Sequence, residues 1–191
     1  MARQTIMAQE AMSAPDKVAA QLQKNGPIWQ ALVEKLSACP PPFCLTIARG
    51  SSDHAASFAK YLIETQLGWV TASQAPSIIT TYHSELNLQH ALVMGISQSG
   101  KSPDLCQTLS VAKASGALTV ALVNQVESPL AEIAEFVVPL HAGPEHAVAA
   151  TKSYLTALSA LIQFIAVAKQ NSALNAALAA LPDLLSQSLQ M

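Results

Sequence analysis

Five short apolar runs separated by helical patterns constrain this chain more than any other feature of it. Phe43–Ala48, Trp69–Ser73, Ala91–Ser97, Leu118–Val123 and Phe136–Leu140 have the length and bounding turns of strands. Ser52–Leu67, Pro103–Ser115 and Pro129–Ala134 between them carry helical patterns. Strands joined through helices run parallel, because a parallel pair needs a long crossover, and the crossovers cover both faces of the sheet. A three-layer α/β/α sandwich with a five-stranded, mostly parallel sheet is expected. Ahead of it, Pro15–Gln23 reads as one helix, Asn25-Gly26-Pro27 as a break, Ile28–Ser37 as a second helix, and Pro40-Pro41-Pro42 as a stop. Glu145–Lys169 reads as a closing helix. The Ala/Leu-rich tail Ala173–Leu189, with Pro182 inside it, reads as two short helices or one leading out of the domain. The expected division is an N-terminal helical segment 1–40, a binding domain 41–170 and a tail 171–191.

Two of the apolar runs end in turns rich in hydroxyls. Gly95-Ile96-Ser97-Gln98-Ser99-Gly100-Lys101-Ser102 fits the phosphate-loop pattern G-x-x-x-x-G-K-[ST], followed by Pro103 at a helix start. A nucleotidase also needs an Asp at the end of a later strand to hold its metal. The later runs end in Asn124 and His141 instead. Gly50-Ser51-Ser52 is the second such turn. Ser51, Ser52, Ser97, Ser99 and Ser102 offer neutral donors, and helix N-termini add free N–H groups and partial positive charge, so a phosphate monoester fits without a metal. The ordinary alternative is that these serines cap their helices. In open parallel sheets ligands lie beyond the carboxyl ends of the strands, where such turns converge.

Composition narrows the class. The chain has 191 residues, 51% of them hydrophobic and 12% charged, enough to bury about two-thirds of its unfolded surface in one domain. A net charge of −2 with no Lys/Arg block points away from nucleic acid. Arg3 is followed by no apolar core with a cleavage site, so a cytoplasmic protein is expected. Cys39, Cys44 and Cys106 lack zinc or disulfide spacing and read as small buried groups. The apolar stretch Tyr154–Ala168 is too short to cross a bilayer and reads as a core or interface helix, so no membrane partner is expected. Gly95-x-Ser97-x-Ser99 lacks the final glycine of a hydrolase nucleophile elbow.

Over nearly its whole length the chain resembles the sugar isomerase (SIS) domain family, whose fold is flavodoxin-like. The likeness is greatest to the first of the two SIS domains in the isomerase half of glucosamine-6-phosphate synthases and their glutaminase-free relatives. Arg49-Gly50-Ser51-Ser52, Ile96 through Asp104 and Ala142 through Lys152 carry it, with weaker echoes at Met7-Ala8-Gln9-Glu10, Pro15 and Ser84-Glu85-Leu86. The resemblance implies that Ser97, Gln98, Ser99 and Ser102 hold the phosphate of a sugar 6-phosphate, with no metal and no cofactor. It implies that Ser51 and Ser52 meet the sugar hydroxyls and that the backbone around Val148 lines the sugar site. Ala150 stands where the synthase has a serine, and Lys101 where it has a glutamate.

Aldose–ketose conversion moves a proton between C1 and C2 and needs a positioned base. In the synthases the Glu and Lys that serve belong to the second SIS domain, so the resemblance assigns no catalytic residue here. Glu145, His146, His54 and Lys152 are the nearby ionisable groups, each with an ordinary structural role open to it. No cysteine near the N-terminus can act as a glutaminase nucleophile, which favours isomerisation or deamination of an amino-sugar phosphate, glucosamine 6-phosphate foremost. The resemblance further implies a homodimer, or a tail that links to a second SIS domain. A non-catalytic sugar-phosphate sensor is the alternative, and a phosphate-loop nucleotidase a more distant one.

Overall fold

The computed structural model describes residues 5–190, so Arg3 and the reading of its surroundings lie outside the described residues. The strands are β1 (Cys44–Ala48), β2 (Thr71–Ser73), β3 (Leu92–Ser97), β4 (Leu118–Val123) and β5 (Phe136–Pro139). They form one sheet in the order β2-β1-β3-β4-β5, every pairing parallel, which is the flavodoxin-like arrangement with its switch point between β1 and β3. β1 pairs with β3 from Cys44 opposite Leu92 to Ala48 opposite Ile96, so both strands end at the same level.

The side chains of β1, β3, β4 and β5 alternate between two cores, as a period of two requires. Cys44, Met94, Ile96, Leu122 and Val138 face one core, which α2 (Ala14–Ala38), α3 (Ser51–Leu67) and α7 (Lys152–Ala168) cover. Leu45, Ile47, Val93, Ala121 and Val123 face the other, covered by α5 (Pro103–Ala114) and α6 (Pro129–Ile133). The short α1 (Ile6–Met12) leads into α2, and α4 (Ser77–Thr80) lies between β2 and β3. Gly95, in the middle of β3, lets α6 come close, since a Cβ there would sit 3.3 Å from Leu130 Cδ2.

Three expectations about helices are corrected. α2 runs unbroken through Pro27. Val18, Gln21, Asn25, Trp29, Leu32 and Leu36 recur every three or four residues as one buried stripe, and burying that stripe outweighs the N–H that proline lacks. Trp29 also stacks tilted on Phe164 of α7, with ring centroids 5.2 Å apart. α7 begins at Lys152 rather than Glu145, because the preceding residues are held in an irregular loop by side chains described below. The tail is a single helix, α8 (Ser172–Ser188), with Pro182 inside it, packed back on α2 and α7.

A polar network joins α2 to α7 inside the core. Gln21 Nε2 donates to Gln163 Oε1 at 2.9 Å, Ser159 donates to Gln21 Oε1 at 2.6 Å, and Gln163 Nε2 donates to the Leu22 carbonyl at 2.7 Å. These bonds satisfy groups that would otherwise be costly to bury. Cys39 is exposed, against expectation, because it follows the last turn of α2; Cys44 is buried and Cys106 half-buried. Burial pushes the Cys44 thiol up to about 12. Among the described residues no helix is long and apolar enough to cross a membrane.

Candidate functional site

Because β1 and β3 are neighbours, the turns that follow them meet at the carboxyl edge of the sheet. Between them and the start of α7 lies a cleft of about 200 Å³. Ser51, Ser52, Ser97, Gln98, Ser99 and Ser102 all line it, together with Arg49, Ala150, Ser153 and Tyr154. The structure thus brings the residues of both serine turns together in one cleft. Val148 is different: its side chain is fully exposed and does not line the cleft, to which its loop contributes Ala150 instead.

The hydroxyls are arranged as donors. Ser97 Oγ accepts the Gly100 N–H at 3.0 Å and Ser99 Oγ accepts the Lys101 N–H at 3.3 Å, which leaves each O–H proton free to donate. Ser102 is the N-cap residue of α5, yet its side chain makes no capping bond, and the N-terminus of α3 behind Gly50 has none either. The capping alternative thus fails at these two helices. Their first N–H groups and dipoles point at the cleft uncompensated by a side-chain cap.

The turn after β3 has a tight geometry. Gly100 adopts φ +64°, and a Cβ there would lie 2.1 Å from Ser128 Oγ. The carbonyl of Gln98 accepts N–H groups from Asn124 and Gln125, each at 3.3 Å, tying the turn to the end of β4. Gly95, the first glycine of the phosphate-loop pattern, is a paired residue inside β3. Gln98 to Ser102 then form the loop, and the first glycine of the pattern stands outside it, unlike the glycine-bounded loop of a nucleotidase.

Arg49 is the one ionised side chain among the lining residues, and it forms an ion pair with Asp104 in the first turn of α5. This bond ties the turn after β1 to the helix after β3. Lys101 is exposed, as are His54 and His146. Asp104, after burial, helps to hold the Cys106 thiol above its usual range.

The remaining wall of the cleft is the irregular loop between β5 and α7, and three side chains fix it. Asn124 accepts the Ala142 N–H at 2.9 Å and donates to the Gly143 carbonyl at 2.8 Å. Glu145 turns towards α7 and accepts N–H groups of Thr151 and Ser153, each at 3.1 Å, and the Ser153 hydroxyl. It caps α7 from outside instead of starting it. Glu10 of α1 reaches the middle of the loop, where its two oxygens accept the N–H groups of His146 and Ala147. Those N–H bonds, His146 first, outweigh burial and hold the Glu10 carboxyl below its ordinary value, with the charge of Lys152 assisting. At the loop's start His141 Nε2 lies 3.2 Å from Asn25 Oδ1, an acceptor, so this nitrogen carries the proton. Burial, then the Lys24 charge, lowers the His141 pKa and keeps the ring neutral.

Asn124 occupies the strand end where a nucleotidase has its metal-holding Asp. Its role is visible only from its contacts, and so is that of Glu10, for which sequence showed no more than a weak echo. Lys152 is buried, and neither it, Glu145 nor either of His54 and His146 lines the cleft.

A parallel sheet in this order with a hydroxyl-lined, helix-flanked cleft at its switch point defines a flavodoxin-like α/β domain. The SIS domain family model matches residues 44–167, and the chain belongs to that family. It is similar to the isomerizing glutamine–fructose-6-phosphate aminotransferase of Symbiobacterium thermophilum, with 36% identity over 158 residues, covering 76% of this chain and 25% of the relative. It is also similar to the crystal structure of a protein described as a phosphosugar isomerase from Silicibacter pomeroyi DSS-3, with TM-score 0.92 and 38% identity, covering 96% of this chain and 56% of that one. The Vibrio vulnificus NanR protein complexed with ManNAc-6P shares the fold, with TM-score 0.69 and 16% identity over 93% of this chain and 68% of that one. The chain thus spans 25% of the first of these relatives and 56% of the second.

Proposed function

We propose that the cleft binds a sugar 6-phosphate, with the phosphate on Ser97, Gln98, Ser99 and Ser102 and the sugar towards Ser51, Ser52 and the loop that carries Val148 and Ala150. The observation that carries this reading is the convergence of donor hydroxyls and two N-termini lacking side-chain caps in one cleft without a lining carboxylate. Such a cleft suits a dianion, with Asp104 beside it neutralised by Arg49. Neutral hydroxyls and N–H groups suffice, so no metal or cofactor is required.

None of the lining residues is a carboxylate, histidine or lysine that could move a proton between C1 and C2. A base for that step would come from outside this cleft, from a second copy of the chain or from a further SIS domain. In that setting residues 41–170 act as the phosphosugar-binding part, with 1–40 and 171–191 as flanking helices, in a cytoplasmic homodimer. The activity that fits is glucosamine-6-phosphate deamination, which yields fructose 6-phosphate and ammonia, or ketose–aldose isomerisation. The missing base equally suits a non-catalytic sugar-phosphate sensor, and turnover separates the two.

Calorimetric titration with fructose 6-phosphate, glucosamine 6-phosphate and ATP–magnesium tests the reading. Saturable metal-independent binding of a sugar phosphate, weakened by Ser99→Ala about tenfold or more as for loss of a hydrogen bond to a charged group, is expected. Binding of ATP–magnesium alone would overturn it.

A further inference from the structure

We propose that Glu10 is a positioning residue of the sugar-phosphate cleft, acting from α1 by holding the backbone at His146 and Ala147 so that Ala150 and the start of α7 stand against the ligand. This inference rests on the binding reading above and adds to it a residue outside 44–167, the stretch that the family model matches.

The loop between β5 and α7 cannot hold its own shape. It is irregular, with bends at residues 147–149, has no strand partner, and leaves its middle N–H groups without acceptors from neighbouring backbone. Asn124 fixes its start and Glu145 its end, both within a short reach of the loop. The middle is fixed by a side chain 136 residues away in sequence: Glu10 Oε1 accepts the His146 N–H and Oε2 accepts the Ala147 N–H at 3.2 Å. Glu10 is only 6% exposed although most of α1 is open to solvent, so its carboxylate is committed to this task. Such charge-assisted bonds to two successive N–H groups set both the position and the orientation of the peptide between them.

What the clamp governs follows from the layout. Four residues beyond His146 the loop reaches Ala150, and then Ser153 and Tyr154 of α7, all of which line the cleft. The serine turn after β3 stands on β3, α5 and Asn124, none of which Glu10 touches. The clamp therefore bears on the sugar end of the ligand and not on its phosphate. A positioning group that works this way has a signature that a general loss of stability lacks.

Glu10→Ala, and Glu10→Gln as the variant that keeps shape and one acceptor, would be titrated with fructose 6-phosphate and with inorganic phosphate as its competitor. Amide hydrogen exchange would be followed at His146 and Ala147. In Glu10→Ala we expect fructose 6-phosphate affinity to fall about tenfold, the order for a lost charge-assisted bond, inorganic phosphate to stay within about twofold, and exchange to quicken at those two amides while the sheet stays protected; Glu10→Gln falls between. Equal losses for both ligands, an unchanged fructose 6-phosphate affinity, or unchanged exchange would each overturn the proposal. If the unaltered protein bound neither ligand, the sugar-phosphate reading would fail and the positioning role with it, while exchange would still report whether Glu10 holds the loop.

Discussion

Replacing Gly100 by alanine puts a methyl group where the structure has no room for one. At φ +64° an alanine already pays for a left-handed backbone, about 1 kcal/mol. Its Cβ would lie 2.1 Å from Ser128 Oγ and 2.7 Å from Ser128 Cβ, so Ser128 or the turn must move. Ser128 is buried, and its Oγ has no hydrogen-bond partner to hold it or to lose. Overpacking of this kind costs about 1–3 kcal/mol, so Gly100→Ala should lower stability by about 2–4 kcal/mol in all. Ser128→Gly removes both clashing atoms. The double variant should recover the overpacking part and keep the backbone part, a coupling of about 1–3 kcal/mol. Urea unfolding of the four proteins, with midpoints compared at unchanged slope, measures it. A Gly100→Ala loss below about 0.5 kcal/mol, or strict additivity in the double variant, would show that Ser128 does not confine this turn. The same variants titrated with fructose 6-phosphate should show Gly100→Ala weakened by displacement of the Ser97 and Ser99 hydroxyls.

Three further outcomes follow from particular contacts. Asp104 shares the α5 N-terminus with the proposed phosphate, and Arg49 neutralises it; left unpaired, a nearby carboxylate opposes a dianion across water by on the order of 1 kcal/mol. Arg49→Met should therefore weaken fructose 6-phosphate binding about fivefold and Asp104→Asn on top of it should restore most of that, whereas no recovery would make Arg49 a direct ligand. Cys39 should react first with a thiol reagent in the folded protein and Cys44 only on unfolding, since burial raises its pKa to about 12; mass spectrometry after limited labelling would show the order, and early Cys44 labelling would contradict the buried β1. Glu10 titrates below its ordinary 4.5 in the folded chain, so its contribution is present above pH 4.5 and is lost as pH falls through the lowered value. Glu10→Gln should flatten that part of the acid unfolding curve, and an unaltered curve would refute the clamp's ionised state.

Local sequence determined the parts of this protein that are local in cause. Apolar runs of strand length, a proline at a helix start and serines at strand ends act over a few residues, and so β1, β3, β4, α3 and α5 begin and end within a residue or two of where the sequence places them. The serines of the candidate cleft were legible for the same reason. Where the local signal was a breaker, it misled: Asn25-Gly26-Pro27 lies inside a continuous helix because α2 buries one stripe along its length against neighbours remote in sequence, and Pro182 lies inside α8, which packs on α2 and α7 with Leu178 buried. Glu145 looked like the first turn of α7 and instead bends back to cap it.

Only tertiary structure decided which turns would meet. The order β2-β1-β3-β4-β5 sets β1 beside β3, and that adjacency, not either turn alone, makes the cleft. Tertiary structure also chose what Asn124, Asp104 and Glu10 do, because a polar side chain acquires its role from the donors and charges that folding brings within about 3 Å of it. For Glu10 those donors arrive from His146 and Ala147, at the far end of the chain's fold, and no periodicity or spacing around Glu10 itself could announce them.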